Sequence, residues 1–115
     1  MRVADLEGQT LDLWAARAEG IEYWIERSSV DWEVCADTGN DRSDRYSPST
    51  DWALGGLIIE RERIEIGRPT KGPDVGKWSA WIGDEFSGYG ETALVAAMRA
   101  YVVSKFGEEV EEVNE

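Results

Sequence analysis

An eleven-residue stretch in the middle of the chain, residues 46–56, constrains the fold more than any other part of the sequence. It combines a turn proline, side chains typical of a helix N-terminus, two aromatic rings and a pair of glycines. We predict that Ser49 or Thr50 caps a helix and that Asp51 lies in its first turn, where a carboxylate favours the positive end of the helix dipole. Each glycine weakens a helix by about 1 kcal/mol relative to alanine, so the pair favours a place where another backbone or a ligand comes close.

Hydrophobic periodicity predicts the elements before this stretch. Helical spacing indicates a first helix over 11–19, capped by Thr10 and ended by Gly20. The period then changes to two, which predicts antiparallel strands over 21–26 and 30–36 with one face on the core and the other acidic. The chain therefore changes from a helix to a hairpin before it reaches its centre.

The C-terminal half carries the clearest helix signal. Alternation predicts a third strand around 64–66 and a fourth over 77–82, followed by a glycine-spaced loop over 83–90. A final helix is predicted to be capped by Thr92 and ended by Gly107, with a broad apolar stripe between them.

These elements predict a single small α+β domain over 1–107. We expect an antiparallel sheet of about four strands, with the C-terminal helix packed on it and two shorter helices beside it. The segment 37–48 has almost no apolar residues and is predicted to be a loop. The acidic tail, residues 108–115, is predicted to be frayed.

Charge and residue usage exclude several classes of function. Twelve basic and 24 acidic residues give a net charge of −12, which repels nucleic acid phosphates and anionic membranes. The acidity either serves only solubility, which is the plainer reading, or imitates nucleic acid to occupy a basic groove in a partner protein. The lack of histidine excludes a histidine-based triad, and with a single cysteine it argues against a zinc site. We therefore predict no metal, no cofactor and no catalytic site.

The same data indicate a reducing compartment. Cys35 is the single cysteine, so no internal disulfide can form. The N-terminus lacks a continuous hydrophobic region, and no run approaches the ~20 apolar residues that a membrane helix needs. We expect a cytoplasmic protein.

Three groups of side chains are candidates for binding. The chain has six tryptophans, and some of Trp24, Trp52, Trp78 and Trp81 are expected at a surface, although filling a thin core is the alternative for each. Five basic residues between 61 and 77 are interleaved with acids, so local charge pairing is favoured over a phosphate site: Arg61, Arg63, Arg68, Lys71 and Lys77. Arg99 flanks the apolar stripe of the last helix, where it either reaches across the sheet or a neighbouring subunit or forms a salt bridge.

Several motifs extend over nearly the whole chain. They are residues 46–56 (YSPSTDWALGG), 58–62 (IIERE), 78–81 (WSAW) and 96–107 (AAMRAYVVSKFG), together with the opening region 11–20. In these motifs the sequence resembles the NinX-like family of small phage and prophage proteins. The insert at 37–45 matches no pattern of that family, and Leu57 stands where the family often carries proline, which implies a more continuous second helix.

The chain is also similar to phage proteins that defeat Thoeris immunity by sequestering a cyclic ADP-ribose signal. This similarity implies a non-enzymatic, homo-oligomeric protein that captures a small nucleotide-type defence signal in the host cytoplasm. A ring such as Trp78 or Trp81 would stack on adenine and Arg99 would meet a diphosphate, while hydroxyl and carboxyl groups at 49–51 would bind ribose. The expected ligand site comprises Tyr46, Ser49, Thr50, Asp51, Trp52, Trp78, Trp81 and Arg99. The alternative is an acidic modulator that blocks a host or phage DNA-binding protein, and an enzyme acting on a nucleotide is third.

Overall fold

The computed structural model describes residues 1–37, 45–73 and 75–113. Within these residues the chain forms a short 3₁₀ helix, Val3–Asp5, and three α-helices: α1 (Gly8–Glu19), α2 (Trp52–Glu62) and α3 (Ala93–Phe106). Five strands complete the described fold: β1 (Tyr23–Arg27), β2 (Trp32–Ala36), β3 (Glu65–Gly67), β4 (Trp78–Ile82) and β5 (Phe86–Gly90). The molecule is a small α+β domain, as the sequence predicts.

The strands form two separate antiparallel sheets in the described structure. β1 pairs with β2 as a hairpin, and the second sheet has the strand order β3-β4-β5. The prediction of one sheet of about four strands is therefore wrong. The hairpin packs on α1 through β2, whereas α3 covers the three-stranded sheet, so the two sheets belong to different layers.

Strand β5 occupies a segment for which the sequence predicts a loop. Its glycines are places of close packing: a Cβ atom at Gly88 would lie 2.6 Å from both the Ala96 carbonyl oxygen and the Ala100 nitrogen of α3. A Cβ atom at Gly90 would lie 2.7 Å from Val95 Cγ1. The prediction was wrong because glycine spacing is read as turn chemistry, whereas here it lets a helix backbone approach a strand.

Helix α3 lies at the centre of the domain. It contacts the three-stranded sheet, both other α-helices and the 3₁₀ helix. The predicted cap is confirmed, since Thr92 Oγ1 accepts a hydrogen bond of 3.1 Å from the Val95 amide. Gly107 ends the helix with a positive φ of 85°. No helix in the described part of the chain is long and apolar enough to cross a bilayer.

Helix α1 begins one turn earlier than predicted. Glu7 is its N-cap in extended conformation, so Thr10 lies inside the helix and does not cap it. The start is fixed upstream by packing, because Leu6 is fully buried and its amide bonds to the Val3 carbonyl. Gly20 ends the helix with φ of 69°, as predicted.

Residues 46–56 form the predicted junction. Asp51, not Ser49 or Thr50, caps α2, and its Oδ1 accepts a hydrogen bond of 2.9 Å from the Ala53 amide. The hydroxyl residues instead belong to a turn in which the Thr50 and Asp51 amides both bond to the Ser47 carbonyl. At Gly55 a Cβ atom would lie 2.4 Å from the Pro48 carbonyl oxygen, which confirms a close backbone approach.

The two ends of the described chain pair with each other. The Val3 amide donates to the Glu108 carbonyl at 2.8 Å, and the Val110 amide donates to the Met1 carbonyl at 2.9 Å. Residues 108–110 are therefore held to the domain, contrary to the expected frayed tail, because Val110 is buried there. Residues 114–115, and most of the loop predicted at 37–48, lie outside the described residues.

Candidate functional site

A cleft of about 470 Å³ lies between α1 and the β1–β2 hairpin. Helix α1 contributes Gln9 and Asp12, and Tyr46 closes the cleft beyond β2. The hairpin and its flank contribute the other walls: Glu26, Arg27, Ser28, Asp31, Trp32, Glu33, Val34 and Arg45. A volume of this size is typical of sites that hold a small molecule or one or two side chains of a partner.

The walls of the cleft are more acidic than basic. Glu26, Asp31 and Glu33 face two arginines, of which Arg45 has its Nε atom 3.5 Å from Glu33 Oε2. Asp31 Oδ1 accepts a hydrogen bond of 2.9 Å from Gln9 Nε2, which fixes the hairpin turn to α1. Half-buried Trp32 provides an aromatic wall among these charges. The cleft therefore attracts cations more than anions.

The floor of the cleft contains a buried carboxyl group. Asp12 is 5 % exposed, and its Oδ1 accepts a hydrogen bond of 2.9 Å from the Ser49 amide. Burial raises the pKa of Asp12 to about 6, although the Ser49 hydrogen bonds and the charge of Arg45 oppose the rise. The Tyr46 hydroxyl is buried and has no hydrogen-bond partner among the described residues.

A second polar cluster lies at the other end of α1. Arg61 forms a two-pronged pair with Glu19, with Nη1–Oε1 and Nη2–Oε2 distances of 3.1 and 2.6 Å, and the Tyr101 hydroxyl donates to Glu19 Oε2 at 2.7 Å. Burial alone would raise the pKa of Glu19, but the hydrogen bonds from Arg61 and Tyr101 outweigh it and lower the pKa. The local charge pairing predicted for the basic segment is confirmed at Arg61, which also lies 2.8 Å from Glu62.

Five of the eight predicted site residues lie in the central segment, but they divide into two groups. Tyr46 and Ser49 are buried at and beneath the cleft floor, 6 % and 1 % exposed. Thr50, Asp51 and Trp52 are exposed around the start of α2. Only the first group approaches the cleft.

The tryptophans proposed to stack on a base lie elsewhere. Trp78 and Trp81 are half-buried on β4. The Arg68 guanidinium carbon lies 5.2 Å from the Trp78 ring centre, and Trp81 Nε1 donates to Glu65 Oε2 at 2.7 Å. Of the four tryptophans expected at a surface, Trp24 and Trp52 are the exposed ones, at 40 % and 58 %.

Arg99 lies in a separate pocket beside the 3₁₀ helix. Its Nε donates to the Leu6 carbonyl at 2.9 Å and its Nη1 to the Tyr89 carbonyl at 2.7 Å, so it reaches across to strand β5. No carboxylate of the described residues lies within 4.0 Å of it, which excludes the salt-bridge alternative in this part of the chain. Burial lowers the pKa of Arg99. The eight residues thus occupy separate parts of the molecule and do not share one hollow.

Sequence reasoning did not select the residues that line the cleft, apart from Tyr46. Asp12 carried a usable signal, because it is the single charged residue in the apolar run from Leu11 to Ala16. Trp32 shares the spacing of Val34 and Ala36 and alternates with Asp31 and Glu33, which predicts that it lies on the core face of its strand. Its position beside α1 depends on how the hairpin folds over the helix, which no local pattern contains.

The fold and cleft define a small α+β domain with an open, acidic recess. The chain belongs to the family of the NinX protein of bacteriophage P22, whose family model matches residues 2–105. No curated protein matches the sequence. This match confirms the resemblance seen in the motifs, and it shows that the chain belongs to a family of phage proteins. Among the described residues, no group of three or more cysteine, aspartate or glutamate side chains could hold a metal ion.

Proposed function

We propose that this NinX-family protein is a non-enzymatic binding protein whose acidic cleft takes a basic segment of a partner protein. The observation that carries the proposal is the placement of Glu26, Asp31 and Glu33 around half-buried Trp32 in a cleft of about 470 Å³. An arginine or lysine of the partner would stack on the indole ring and pair with a carboxylate at the same time. A host or phage DNA-binding protein offers such a segment.

The charge of the whole chain supports this occupant. An exposed ion pair contributes at most about 1 kcal/mol, so the three carboxylates alone give modest affinity. A net charge of −12 adds a long-range attraction that speeds encounter with a basic partner and weakens as salt is added. The cleft then determines which part of the acidic surface the partner contacts.

The second candidate is capture of a small nucleotide-type, cyclic ADP-ribose-like defence signal in the same cleft, which would counteract host immunity. The observation in its favour is that Trp32 shares the cleft with Arg27 and Arg45, a ring for a base and guanidinium groups near phosphate. The surrounding carboxylates oppose a ligand with two negative charges, which is why the basic partner is preferred. A second copy of the chain that closes the cleft would belong to this mode, and both modes would act in the host cytoplasm.

Calorimetric titration with a peptide of eight arginines, and separately with cyclic ADP-ribose, tests both. Replacing Glu26 and Glu33 together by glutamine should weaken peptide binding about tenfold, as expected for two lost ion pairs. The matched control replaces Glu85 and Glu91, which lie outside the cleft, and removes the same charge. It should retain most of the affinity.

The outcomes separate the candidates. Equal weakening by the two double variants would contradict a cleft site for the peptide, because general surface charge would then explain binding. Binding of cyclic ADP-ribose that is lost in Trp32→Leu and releases intact ligand on heating would favour the second candidate, whereas a chemically altered ligand would mean catalysis. Absence of binding by both probes would reject both functions in this cleft.

A further inference from the structure

A second pocket, of about 220 Å³, lies between the 3₁₀ helix, strand β5 and helix α3. It shares no lining residue with the cleft between α1 and the hairpin. Its walls include the apolar side chains Ala4 and Val103 and the half-exposed ring of Tyr89, and its charged lining residues are Arg2, Arg99 and Glu108. The pocket thus combines apolar side chains with the guanidinium group of Arg99, which two main-chain carbonyls hold in place.

The guanidinium group of Arg99 is oriented but only partly satisfied. Its bonds to the Leu6 and Tyr89 carbonyls use two of the five N–H groups of an arginine and hold its plane between two main-chain segments. Three N–H groups remain for a ligand. Since a guanidinium stays charged in proteins, half-burying it without a bonded carboxylate carries a desolvation cost that an incoming anion would offset.

The surroundings of Arg99 favour an anion of low charge. Asp5, Glu7 and Glu91 act on Arg99 through space although none is bonded to it, and Glu108 is part of the pocket wall. Arg2, also in the wall, has its Nε 3.4 Å from Asp5. A dianionic phosphate would be repelled by these acids more strongly than a carboxylate, which carries one charge and whose two oxygens match paired N–H donors.

We propose that this pocket binds a carboxylate group attached to an apolar body, with the carboxylate on the free N–H groups of Arg99 and the body against Ala4, Tyr89 and Val103. The shared chemistry admits two sources, a free organic acid or the C-terminal carboxylate of a peptide. The proposal does not depend on the occupant of the acidic cleft, because the two sites have separate walls.

Nitrogen-15 NMR of the Arg99 Nε–H group is the test, with three probes: benzoate, N-acetyl-alanyl-valine with a free carboxylate, and inorganic phosphate. The amide of the same dipeptide is the control ligand. We expect the free-acid probes to shift the Arg99 signal and the amide to leave it unchanged. A response to benzoate alone assigns a small acid, and a stronger response to the dipeptide assigns a peptide C-terminus; both support the pocket.

Two variants test the site, and the second of them leaves the carbonyl bonds of Arg99 in place. Arg99→Lys retains a charge but loses the planar fork, and should weaken carboxylate binding at least tenfold by calorimetry. Ala4→Glu, at an exposed position of the pocket wall, places a competing carboxylate there while Arg99 keeps its carbonyl bonds. It should abolish binding with an unchanged melting temperature. Lys77→Gln, which removes one exposed charge outside the pocket, should bind like the parent protein.

Three results would overturn the proposal. The first is no shift of the Arg99 signal by either free acid at millimolar concentration. The second is equal binding by the parent protein and Ala4→Glu. The third is tighter binding of phosphate than of benzoate, which would contradict the assignment of a carboxylate.

Discussion

Helix α1 carries two carboxyl groups on one face, and their pKa values are shifted in opposite directions. Asp12 and Glu19 are seven residues apart, two helical turns, and so lie on the same face. Asp12 accepts a hydrogen bond from the main-chain amide of Ser49, and burial raises its pKa to about 6. Glu19 is held by a guanidinium group and a phenol, and its pKa is lowered. On this face, the deeply buried carboxyl without a bonded cation has a raised pKa, whereas the less buried one bonded to Arg61 and Tyr101 has a lowered pKa.

This difference separates an adjustable end of the helix from a fixed one. The Asp12 end lies beneath the acidic cleft, where Asp12 Oδ1 accepts a hydrogen bond from the Ser49 amide. The Glu19 end joins α1 to Arg61 on α2 and to Tyr101 on α3. A change of pH near 6 would therefore change the charge of Asp12 at the floor of the cleft and leave the charge of Glu19, where the helices join, unchanged.

Among the proposed variants, the largest effect on stability is expected from Gly55→Ala, because the new side chain pushes the turn that carries Ser49, the residue bonded to Asp12, away from α2. The new Cβ atom would lie 2.4 Å from the Pro48 carbonyl oxygen and 2.6 Å from Leu94 Cδ2, so the backbone must move. We expect a loss of about 3 kcal/mol in the free energy of unfolding, measured with urea. The adjacent Gly56→Ala is the control: its Cβ atom would meet only Trp52 Cε3 at 3.7 Å, so it should be neutral or slightly stabilising. Similar losses in both variants would contradict the close contact.

The next largest effect is expected from Asp12→Asn, which removes the charge and keeps an acceptor for the Ser49 amide. The pKa of Asp12 is higher in the folded chain than its ordinary value of 3.8, so folding takes up a proton between about pH 4 and 6. The contribution of Asp12 to stability therefore falls as pH rises through this window. The variant should be about 2 kcal/mol more stable than the parent protein at pH 8 and nearly equal to it at pH 4. Urea unfolding at the two pH values measures this, and a difference independent of pH would contradict the raised pKa.

The smallest effect is expected from Arg61→Gln, which makes the Glu19 end resemble the Asp12 end. Because the Arg61 side chain is half exposed, we expect a loss of only about 1 kcal/mol at pH 7. The pKa of Glu19 is lowered from 4.5, so the stabilisation is present above that pH and is lost as the solution is acidified through the folded pKa. NMR titration of Glu19 should show a higher pKa in the variant. Lys77→Gln, a neutralisation at an exposed position, should leave the Glu19 titration unchanged.

The elements that could be predicted from the sequence are those whose signals are local. Helix α3 has a capping threonine, a continuous apolar run and a terminal glycine, and both of its predicted ends are confirmed. Strand β5 was missed because Gly88 and Gly90 serve contacts with α3, and a contact between distant segments leaves no periodic trace. The hairpin was predicted correctly as a pair of strands, but its separation from the other sheet depends on packing against α1.

The candidate site was less predictable than the fold. Tyr46 is the one predicted site residue that lines the cleft, and Arg99 lines a different pocket. The rings of Trp78 and Trp81 are of a type that can stack on a nucleotide base. In the structure Arg68 lies over the Trp78 ring, and Trp81 donates a hydrogen bond to Glu65. The type of a residue indicates what its side chain can bind. Whether several side chains lie close enough to form one site depends on the folded domain.

The central position of α3 has a consequence for the order in which this protein is made and folded. Helix α3, which packs against the three-stranded sheet and the other two α-helices, follows all of them in the chain, and residues 108–110, which pair with residues 1–3, follow α3. The three-stranded sheet, α1 and α2 have no common partner until α3 is made, so we expect these elements to assemble only after translation has passed α3. During that interval the apolar faces of α1 and of strand β4 are open to water and to other chains.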